Sequence, residues 1–563
     1  MKVVIVGGVA GGATAAARLR RLDEAAEIVV FERSGYVSYA NCGLPYYIGG
    51  TITDREELTL QTPESFWRRF RVDVRVRHEV TAIHPAEKTV TVKDLTTGAV
   101  FDESYDKLLL SPGARPTQPA LPGAGLDRLF TLRTVEDTLK IREFIEQHHP
   151  KSAVLAGGGF IAIELAENLR DLGLEVTLVQ RPKQLLNPLD ADMAAFLHAQ
   201  MRRHEVRLHL GRTVEGFAAD GERVNVLIRD EAPLTADMVV LAIGVTPDTQ
   251  LAKDAGLALG IKGSILVNDR METSVPDIYA VGDAVQVKHF VTGQDTLLSL
   301  AGPANKQGRI AADNICGGDS RYPGSQGSSV IKVFDMTAAS TGVNEKTAKA
   351  ADIDCDKLVL SPMSHAGYYP GGRVMTMKVV FEKNTYRLLG AQIVGYEGVD
   401  KRIDVLSTAI HAGLTVLQLK DLDLAYAPPY SSAKDPVNMA GFMAEDLAKG
   451  LVKQFFTEDV AALPRDGSVT LLDTRTPGEY AGGHAEGFVN IPVDELRDRL
   501  DEIPAGKPVY VMCQSGLRSY VACRILAQRG FVCYNFSGGY RLYAAVTEDR
   551  AAAEEALPCG MEK

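Results

Sequence analysis

The chain sets short apolar runs against glycine turns and amphipathic stretches, and it does so twice in nearly the same way. Val3-Val4-Ile5-Val6 is an unbroken apolar run, the pattern of a strand covered on both faces, and Ala13 to Leu22 reads as an Ala/Arg-rich helix. Gly7-Gly8-Val9-Ala10-Gly11-Gly12 lies between them, and Ile28-Val29-Val30-Phe31-Glu32 gives a second strand. The order returns further on. Ser152 to Ala156 reads as a strand, Gly157-Gly158-Gly159-Phe160-Ile161-Ala162 as a turn, Ile163 to Leu172 as a helix and Val176-Thr177-Leu178-Val179 as a strand. No window offers about 18 uninterrupted apolar residues, so no membrane span is expected. The first apolar run is short and meets glycines instead of a cleavage site, so it reads as a strand and a cytoplasmic protein is expected.

Strand, glycine turn, helix, strand is the arrangement that grips a dinucleotide. Glycines let the backbone approach a pyrophosphate, the helix N-terminus offers N–H groups and partial positive charge, and an acid closing the second strand takes a ribose hydroxyl. Gly7 and Gly12 match the first and third glycines of that fingerprint, Val9 stands at the second, and Glu32 is the acid. In the second copy Ala162 takes the third position and Gln180-Arg181 replace the acid, which leaves NADH and NADPH both open.

Two such units, one inserted in the other, imply that a flavin and a nicotinamide meet. Together with Thr273-Ser274-Val275-Pro276-Asp277-Ile278-Tyr279-Ala280-Val281-Gly282-Asp283, they make residues 1 to 446 resemble the pyridine nucleotide-disulfide oxidoreductases. Ser111-Pro112-Gly113-Ala114 and Ala242-Ile243-Gly244-Val245-Thr246-Pro247 resemble that family's crossings between domains. The resemblance implies FAD and NADH or NADPH as cofactors. It places cofactor contacts at Gly7, Gly8, Gly11, Gly12, Glu32, Arg33, Asp283, Gly157, Gly159, Glu164 and Gly244, with Asp283 on the FAD ribityl chain. The expected fold is α/β, with two Rossmann-like dinucleotide-binding domains, an α+β dimerisation domain and a C-terminal α/β domain. Expected boundaries are 1–116 with 249–323 for FAD, 117–248 for NAD(P)H, 324–446 for dimerisation, 447–460 for a linker and 461–563 for the last domain.

Cys42, in Ser38-Tyr39-Ala40-Asn41-Cys42-Gly43-Leu44-Pro45, narrows the family. Members with a cysteine pair place the second thiol five residues on, where this chain has Tyr47. A lone thiol can still be reduced by a flavin if its oxidised form is a sulfenate, a persulfide or a mixed disulfide with a small thiol. SxxxCGxP resembles the single-cysteine branch that holds coenzyme A disulfide reductases, NADH peroxidases and NADH oxidases. Likeness to the coenzyme A enzymes implies substrate contacts at Thr14, Arg18, Arg21, Ser38, Tyr39, Asn41 and Arg69, with Asn305 and Lys434 reaching in from a second subunit of a homodimer. Arg18 and Arg21, at i and i+3, share a helix face suited to a 3′-phosphate. Phe70 stands where relatives carry a lysine for the nucleotide, with Arg69 and Arg71 beside it. The resemblance also implies two partner-subunit tyrosines near the redox cysteine. Tyr368 and Tyr426 fit best, Tyr369 and Tyr430 are the other register, and His365 reads as a structural polar residue.

The last segment resembles a rhodanese. It carries Leu471-Leu472-Asp473-Thr474-Arg475 with Glu479, then Gly483 to Pro492, then Cys513-Gln514-Ser515-Gly516-Leu517-Arg518, then Ser537-Gly538-Gly539. The six-residue loop from Cys513 to Arg518 has the sulfurtransferase length, one short of the related phosphatases. Backbone N–H groups of such a loop stabilise a thiolate or persulfide, and Arg518 is expected to add charge.

Composition adds exclusions. The chain has 563 residues, a net charge of -11 and seven cysteines. The acidic balance argues against a nucleic-acid surface. The cysteines form no CxxC and have no histidines at zinc spacing, so no metal is expected and reduced thiols are. Cys316, Cys355, Cys523, Cys533 and Cys559 read as plain small residues. The function these readings imply is NAD(P)H-dependent, FAD-containing reduction of a persulfide, polysulfide or disulfide of coenzyme A. Hydride passes to FAD and then to Cys42, while Cys513 handles sulfane sulfur. An NADH oxidase or peroxidase, a sulfur carrier for biosynthesis, and a rhodanese-like segment that only docks a partner are the rivals.

Overall fold

Strand Lys2–Val6 is buried along its apolar run and forms the middle of a five-stranded parallel sheet, in the order 278–280, 107–110, 2–6, 27–32, 73–76. The computed structural model describes residues 1–555. These fall into two units, residues 1–183 with 205–327, and residues 184–204 with 328 onward. No helix among the described residues is long and apolar enough to cross a membrane.

In the first unit, helix Ala10–Leu22 starts three residues before the Ala/Arg stretch, because Gly11 and Gly12 lie inside its first turn. A Cβ on Gly12 would fall 1.9 Å from the Gly7 carbonyl oxygen, so only glycine lets helix and strand come this close. The second copy behaves alike, with helix Phe160–Asp171 opening in the glycine turn. Its sheet is parallel, in the order 207–210, 175–180, 152–156, 238–241, 129–131. Strands Ala114–Pro116 and Val245–Pro247, which take up the ends of the two expected crossings, pair antiparallel with each other.

The second unit holds an antiparallel sheet, in the order 329–333, 336–342, 388–395, 376–382, 355–360. Residues 184–204, which sequence position assigns to the NAD(P)H domain, group with this unit. The segment brings an apolar helix face, with Met193, Phe196, Leu197 and Met201 buried, and the partners of a buried charge. Lys378 is 1% exposed and meets Asp190 at 3.1 Å and Asp192 at 2.9 Å, together with Glu345. Burial alone would push its ammonium down, but the three carboxylates hold it above its ordinary value.

The final sheet is parallel, in the order 454–455, 533–536, 509–512, 470–473, 489–490. Strand Gln454–Phe455 and helix Thr457–Val460 fall within the stretch read as a linker, which is therefore partly domain. Phe455 is buried against Phe536, the apolar contact that draws the segment in. This domain also covers the edge strand Cys355–Leu360: the Val359 N–H donates to Ser537 Oγ at 2.9 Å, and Lys357 pairs with Glu458.

Candidate active sites

Cys42 lies in the short 3-10 turn Asn41–Gly43, which runs straight into helix Leu44–Gly49 with Pro45 in its first turn. The preceding loop is tied to the glycine turn, because the Ser38 N–H donates to the Gly8 carbonyl at 2.8 Å while Ser38 holds a left-handed φ of 48°. The helix after Cys42 is clamped at its other end. Arg142 donates to the carbonyls of Tyr47 and Ile48 at 3.1 Å each, and a Cβ on Gly49 would meet Asn168 at 2.1 Å. Cys42 is solvent-accessible and Tyr47 fills the fifth position after it, so no resolving thiol stands there. Surrounding protein, then the Glu164 carboxylate, push its thiol above the ordinary value, while Arg133 pulls it down.

Glu164 and Arg133 are the groups that matter around this thiol. Glu164, on helix Phe160–Asp171, hydrogen-bonds Tyr46, and burial with the nearby Glu167 pushes its carboxyl up to about 7. Arg133 pairs with Asp283 at 2.7 Å, and the Asn41 amide, oriented to satisfy both contacts, donates to the Arg133 carbonyl at 2.8 Å and accepts from its guanidinium at 3.2 Å. Arg133 thus links one expected flavin contact to one expected substrate contact. Sequence reading missed both it and Tyr46, since neither stands in a recognisable motif.

The dinucleotide turns fit their expected groups. Helices Ala10–Leu22 and Phe160–Asp171 begin with no side-chain cap and no acid in the first turn, whereas helix Val135–His148 has a full capping box from Thr134 and Asp137. Uncapped, acid-free N-termini leave N–H groups directed at an anion. Gly7, Gly157 and Gly244 have φ of 94°, 128° and 112°, which the backbone needs at these turns. Glu32 is buried, accepting from the Gly8 N–H at 2.8 Å and the Ser34 N–H at 2.9 Å, and Arg33 pairs with Asp248 at 2.8 Å.

The expected coenzyme A positions divide. Thr14 Oγ1 hydrogen-bonds Asn305 at 2.8 Å within one chain. Asn305 therefore does not need a second subunit to reach the Thr14 face; helix Ala301–Ile315 packs on helix Ala10–Leu22 and delivers it. Arg18 pairs with Asp313 at 2.7 Å, Arg21 and Arg69 are exposed, and Tyr39 is buried. Phe70 is half-buried and packs against the core of the first sheet. Lys434, in the second unit, is exposed.

In that second unit the phenols of Tyr368 and Tyr426 lie 2.7 Å apart, and the hydrogen bond raises Tyr426 above its ordinary value. Both rings are exposed, at 76% and 46%. Their loops are fastened by Arg402, a fully buried side chain that sequence reading overlooked. It pairs with Asp435 at 3.0 Å and donates to the carbonyls of Ser364 at 3.0 Å and Tyr430 at 3.2 Å. Tyr369 packs edge-on to the buried His365, whose Nδ1 meets the Ala366 carbonyl oxygen at 3.1 Å, while Tyr430 is exposed.

Cys513 closes strand Val509–Met512 and is fully buried. Its sulfur accepts from the Gly516 N–H at 3.1 Å and from Ser519 Oγ at 3.2 Å, at the start of helix Leu517–Ala527. Donors so placed stabilise an anionic sulfur. Ser519 follows the loop that sequence reading emphasised and was missed for that reason. Arg518 brings less free charge than expected: it makes two 2.7 Å bonds to Glu479, whose carboxyl that guanidinium holds down at about 2. Arg475 is buried on Asp473 at 2.7 Å and lies 3.8 Å from the centre of the Tyr540 ring. Gly539 lets helix Gly539–Glu555 approach the loop, since its Cβ would fall 2.6 Å from the Gln514 carbonyl oxygen. Of the remaining cysteines, Cys523 and Cys533 are buried, Cys316 and Cys355 half-buried, and Cys559 lies outside the described residues.

Residues 1–308 match the model of the pyridine nucleotide-disulphide oxidoreductases, residues 328–436 that of their dimerisation domain, and residues 456–545 that of the rhodanese-like domain. The chain is 38% identical to the coenzyme A disulfide reductase of Staphylococcus haemolyticus over 447 residues, 79% of this chain and 100% of that one. It superimposes on the crystal structure of reduced Bacillus anthracis CoADR-RHD with a TM-score of 0.95 and 49% identity, covering 98% of each chain. For the NAD-dependent persulfide reductase from A. fulgidus the TM-score is 0.91 and the identity 38%, over 96% of this chain and 100% of that one. The chain therefore belongs to the pyridine nucleotide-disulphide oxidoreductases and carries a rhodanese-like domain after their dimerisation domain.

Proposed function

We propose that this protein is an NAD(P)H-dependent, FAD-containing reductase of a coenzyme A persulfide, polysulfide or disulfide, in which Cys42 is the reducing thiol and Cys513 carries sulfane sulfur. One observation carries the reading: an accessible Cys42 with Tyr47 in place of a second thiol, in a chain similar over nearly its whole length to CoADR-RHD and a persulfide reductase. A thiol without a resolving partner takes that partner from its substrate. When bound, FAD supplies the electron pair, drawn from the nicotinamide, that returns Cys42 to its reduced state.

The chain's own residues do the rest. The uncapped helix starting at Ala10, with Gly7, Gly8, Gly11 and Gly12, would hold the flavin pyrophosphate, with Glu32 and Arg33 beside it and Asp283 toward the ribityl chain. The helix starting at Phe160, with Gly157, Gly159, Glu164 and Gly244, would hold the nicotinamide dinucleotide. Thr14, Arg18, Arg21, Ser38, Tyr39, Asn41 and Arg69 would bind coenzyme A, with Asn305 supporting Thr14 and Lys434 coming from a second subunit. Cys42 thiolate attacks one sulfur of a coenzyme A persulfide. Attack on the inner sulfur releases hydrosulfide and leaves a Cys42–coenzyme A disulfide; attack on the outer sulfur leaves a Cys42 persulfide and free coenzyme A thiolate. Tyr368 and Tyr426 of a second subunit, hydrogen-bonded to each other, would donate a proton to the departing thiolate. Cys513, held by Gly516 and Ser519 with Arg518 nearby, would load or unload sulfane sulfur.

Anaerobic stopped-flow mixing of the NADH-reduced protein with coenzyme A persulfide tests this. The reduced flavin is expected to reoxidise rapidly, and Cys42→Ser to abolish the reaction. Failure to reoxidise, or rapid turnover with oxygen or hydrogen peroxide alone, overturns it.

A further inference from the structure

The second unit sets two cations against one face of its antiparallel sheet and treats them differently. Lys378, on strand Thr376–Glu382, meets the carboxylates of Asp190, Asp192 and Glu345. Arg541, at the start of helix Gly539–Glu555, reaches Thr376, two positions before Lys378 and so on the same face. Its Nε donates to Thr376 Oγ1 at 3.4 Å, and its guanidinium lies 5.3 Å from the centre of the Phe196 ring. Arg541 is half-buried, yet among the described residues its side chain has these partners and no carboxylate.

Two more guanidiniums come to the same place. Arg203, the last residue of helix Ala191–Arg203, donates to the Tyr396 hydroxyl at 3.3 Å, and the Arg373 guanidinium lies 5.4 Å from the centre of the Tyr396 ring. Tyr396 follows strand Leu388–Gly395, two residues beyond Val394, the register partner of Thr376, which returns its phenol to the face that Arg541 reaches. The nearby carboxylates are engaged elsewhere. Asp549 pairs with His198 at 2.8 Å and Arg202 at 2.6 Å, Asp335 hydrogen-bonds Gln200, and Glu397 lies 3.9 Å from His365. Burial pushes the Arg541 guanidinium below its ordinary value; the Tyr396 phenol opposes this and Arg203 adds to it. A partly desolvated cation without a counter-ion favours an anion from outside, and forked guanidinium donors beside a phenol suit a tetrahedral oxyanion. The place adjoins the sulfur loop: the Arg541 N–H donates to the Gln514 carbonyl at 3.1 Å and the Tyr540 N–H to the Cys513 carbonyl at 2.7 Å.

We infer that Arg541, Arg203, Arg373 and Tyr396 bind a phosphomonoester dianion, the 3′-phosphate of coenzyme A when its persulfide serves Cys513. The inference rests on the reading of coenzyme A as sulfur carrier and gives it a docking point in the unit that holds Cys513, apart from the one at Thr14, Arg18 and Arg21. With the phosphate held there, the long pantetheine arm carries the persulfide to the loop. Cys513 thiolate attacks the terminal sulfur; the sulfur–sulfur bond of the donor breaks, coenzyme A thiolate leaves, and Cys513–S–SH forms with the terminal proton retained.

The oxidised holoprotein, without nicotinamide, is mixed anaerobically with coenzyme A persulfide or with 3′-dephospho-coenzyme A persulfide and quenched with an alkylating agent, and persulfide on the Cys513 peptide is measured by mass spectrometry. Coenzyme A persulfide is expected to load Cys513 roughly 10- to 100-fold faster, the worth of a hydrogen bond between charged groups, and inorganic phosphate to reduce it to the dephospho rate. Arg203→Gln and Arg541→Gln are each expected to remove the advantage while loading by glutathione persulfide stays unchanged, which shows that the Cys513 loop is folded. If Arg541→Gln misfolds, the exposed Arg203 decides. Equal loading by the two coenzyme A donors, or an advantage that survives Arg203→Gln, overturns the inference. Inhibition of glutathione persulfide by inorganic phosphate overturns it too, since the anion would then occupy the Cys513 loop itself. No electrons are supplied in this assay, so its failure and the failure of flavin reoxidation are distinguishable.

Discussion

Replacing Glu164 with glutamine removes an acid that the fold holds protonated far above its ordinary range. Burial, then the neighbouring Glu167, push its carboxyl from 4.5 up to about 7, against the hydrogen bond from Tyr46. At about 1.4 kcal/mol for each tenfold change in proton affinity, that displacement is worth about 3 kcal/mol. The sign follows from proton binding. Between about pH 4.5 and about pH 7 the folded protein holds the proton and the unfolded chain has lost it, so stability falls as pH rises and levels off above about 7. Hydrogen exchange of the amides in helix Phe160–Asp171 reads this locally, which suits a protein of several domains. With intrinsic rates corrected for pH, the opening free energy of the wild-type helix is expected to drop by about 3 kcal/mol across that interval. The Glu164→Gln profile is expected to be flat. A second consequence reaches Cys42, whose thiol Glu164 helps to raise: its alkylation midpoint should move to lower pH in the variant. Parallel exchange profiles in the two proteins would refute the reasoning, because they would mean that the carboxyl titrates in its ordinary range.

Arg402→Met strands Asp435 without its buried guanidinium and should cost about 3–5 kcal/mol, read as a lower thermal midpoint, with part of the loss recovered in Arg402→Met/Asp435→Asn. A change below about 1 kcal/mol would show that the tyrosine loops do not depend on it. Ser519→Ala removes one of the two donors to Cys513; at about 1.5–3 kcal/mol for a bond to a charged group, sulfur transfer to cyanide should slow roughly 10- to 100-fold. An unchanged rate would mean that the Gly516 N–H suffices. Gly12→Ala places a methyl group against the Gly7 carbonyl oxygen and should yield protein without yellow colour; retention of the flavin absorbance would contradict the cradle assigned to that turn.

What could be read from the amino-acid order alone was whatever depends on neighbours along the chain. The apolar runs at Val3–Val6 and Ser152–Ala156 became buried strands because burial on both faces requires an unbroken apolar run. The glycine turns were legible because backbone geometry at Gly7 and Gly157 excludes a side chain, and the Cys513 loop because the thiol, the Gly516 N–H and Arg518 fall within six consecutive residues, although Ser519 lies just beyond them. Helix starts were placed a few residues late, since Gly11 and Gly12 look like turn although they lie in the helix.

Tertiary structure decided everything that depends on residues far apart. Arg133 reaches Asp283 across 150 positions, and Arg402 holds loops near 364 and 430; lone arginines carry no local pattern that announces either role. Asn305 meets Thr14 in its own chain because two helices 291 positions apart pack together, a geometry that residue spacing does not encode. Residues 184–204 group with the second unit, where Asp190 and Asp192 pair with the buried Lys378 ammonium nearly 190 positions away, a meeting that no local pattern encodes. Sequence order determined which groups the chain possesses and which turns it makes; burial and charge pairing in three dimensions determined which of those groups meet.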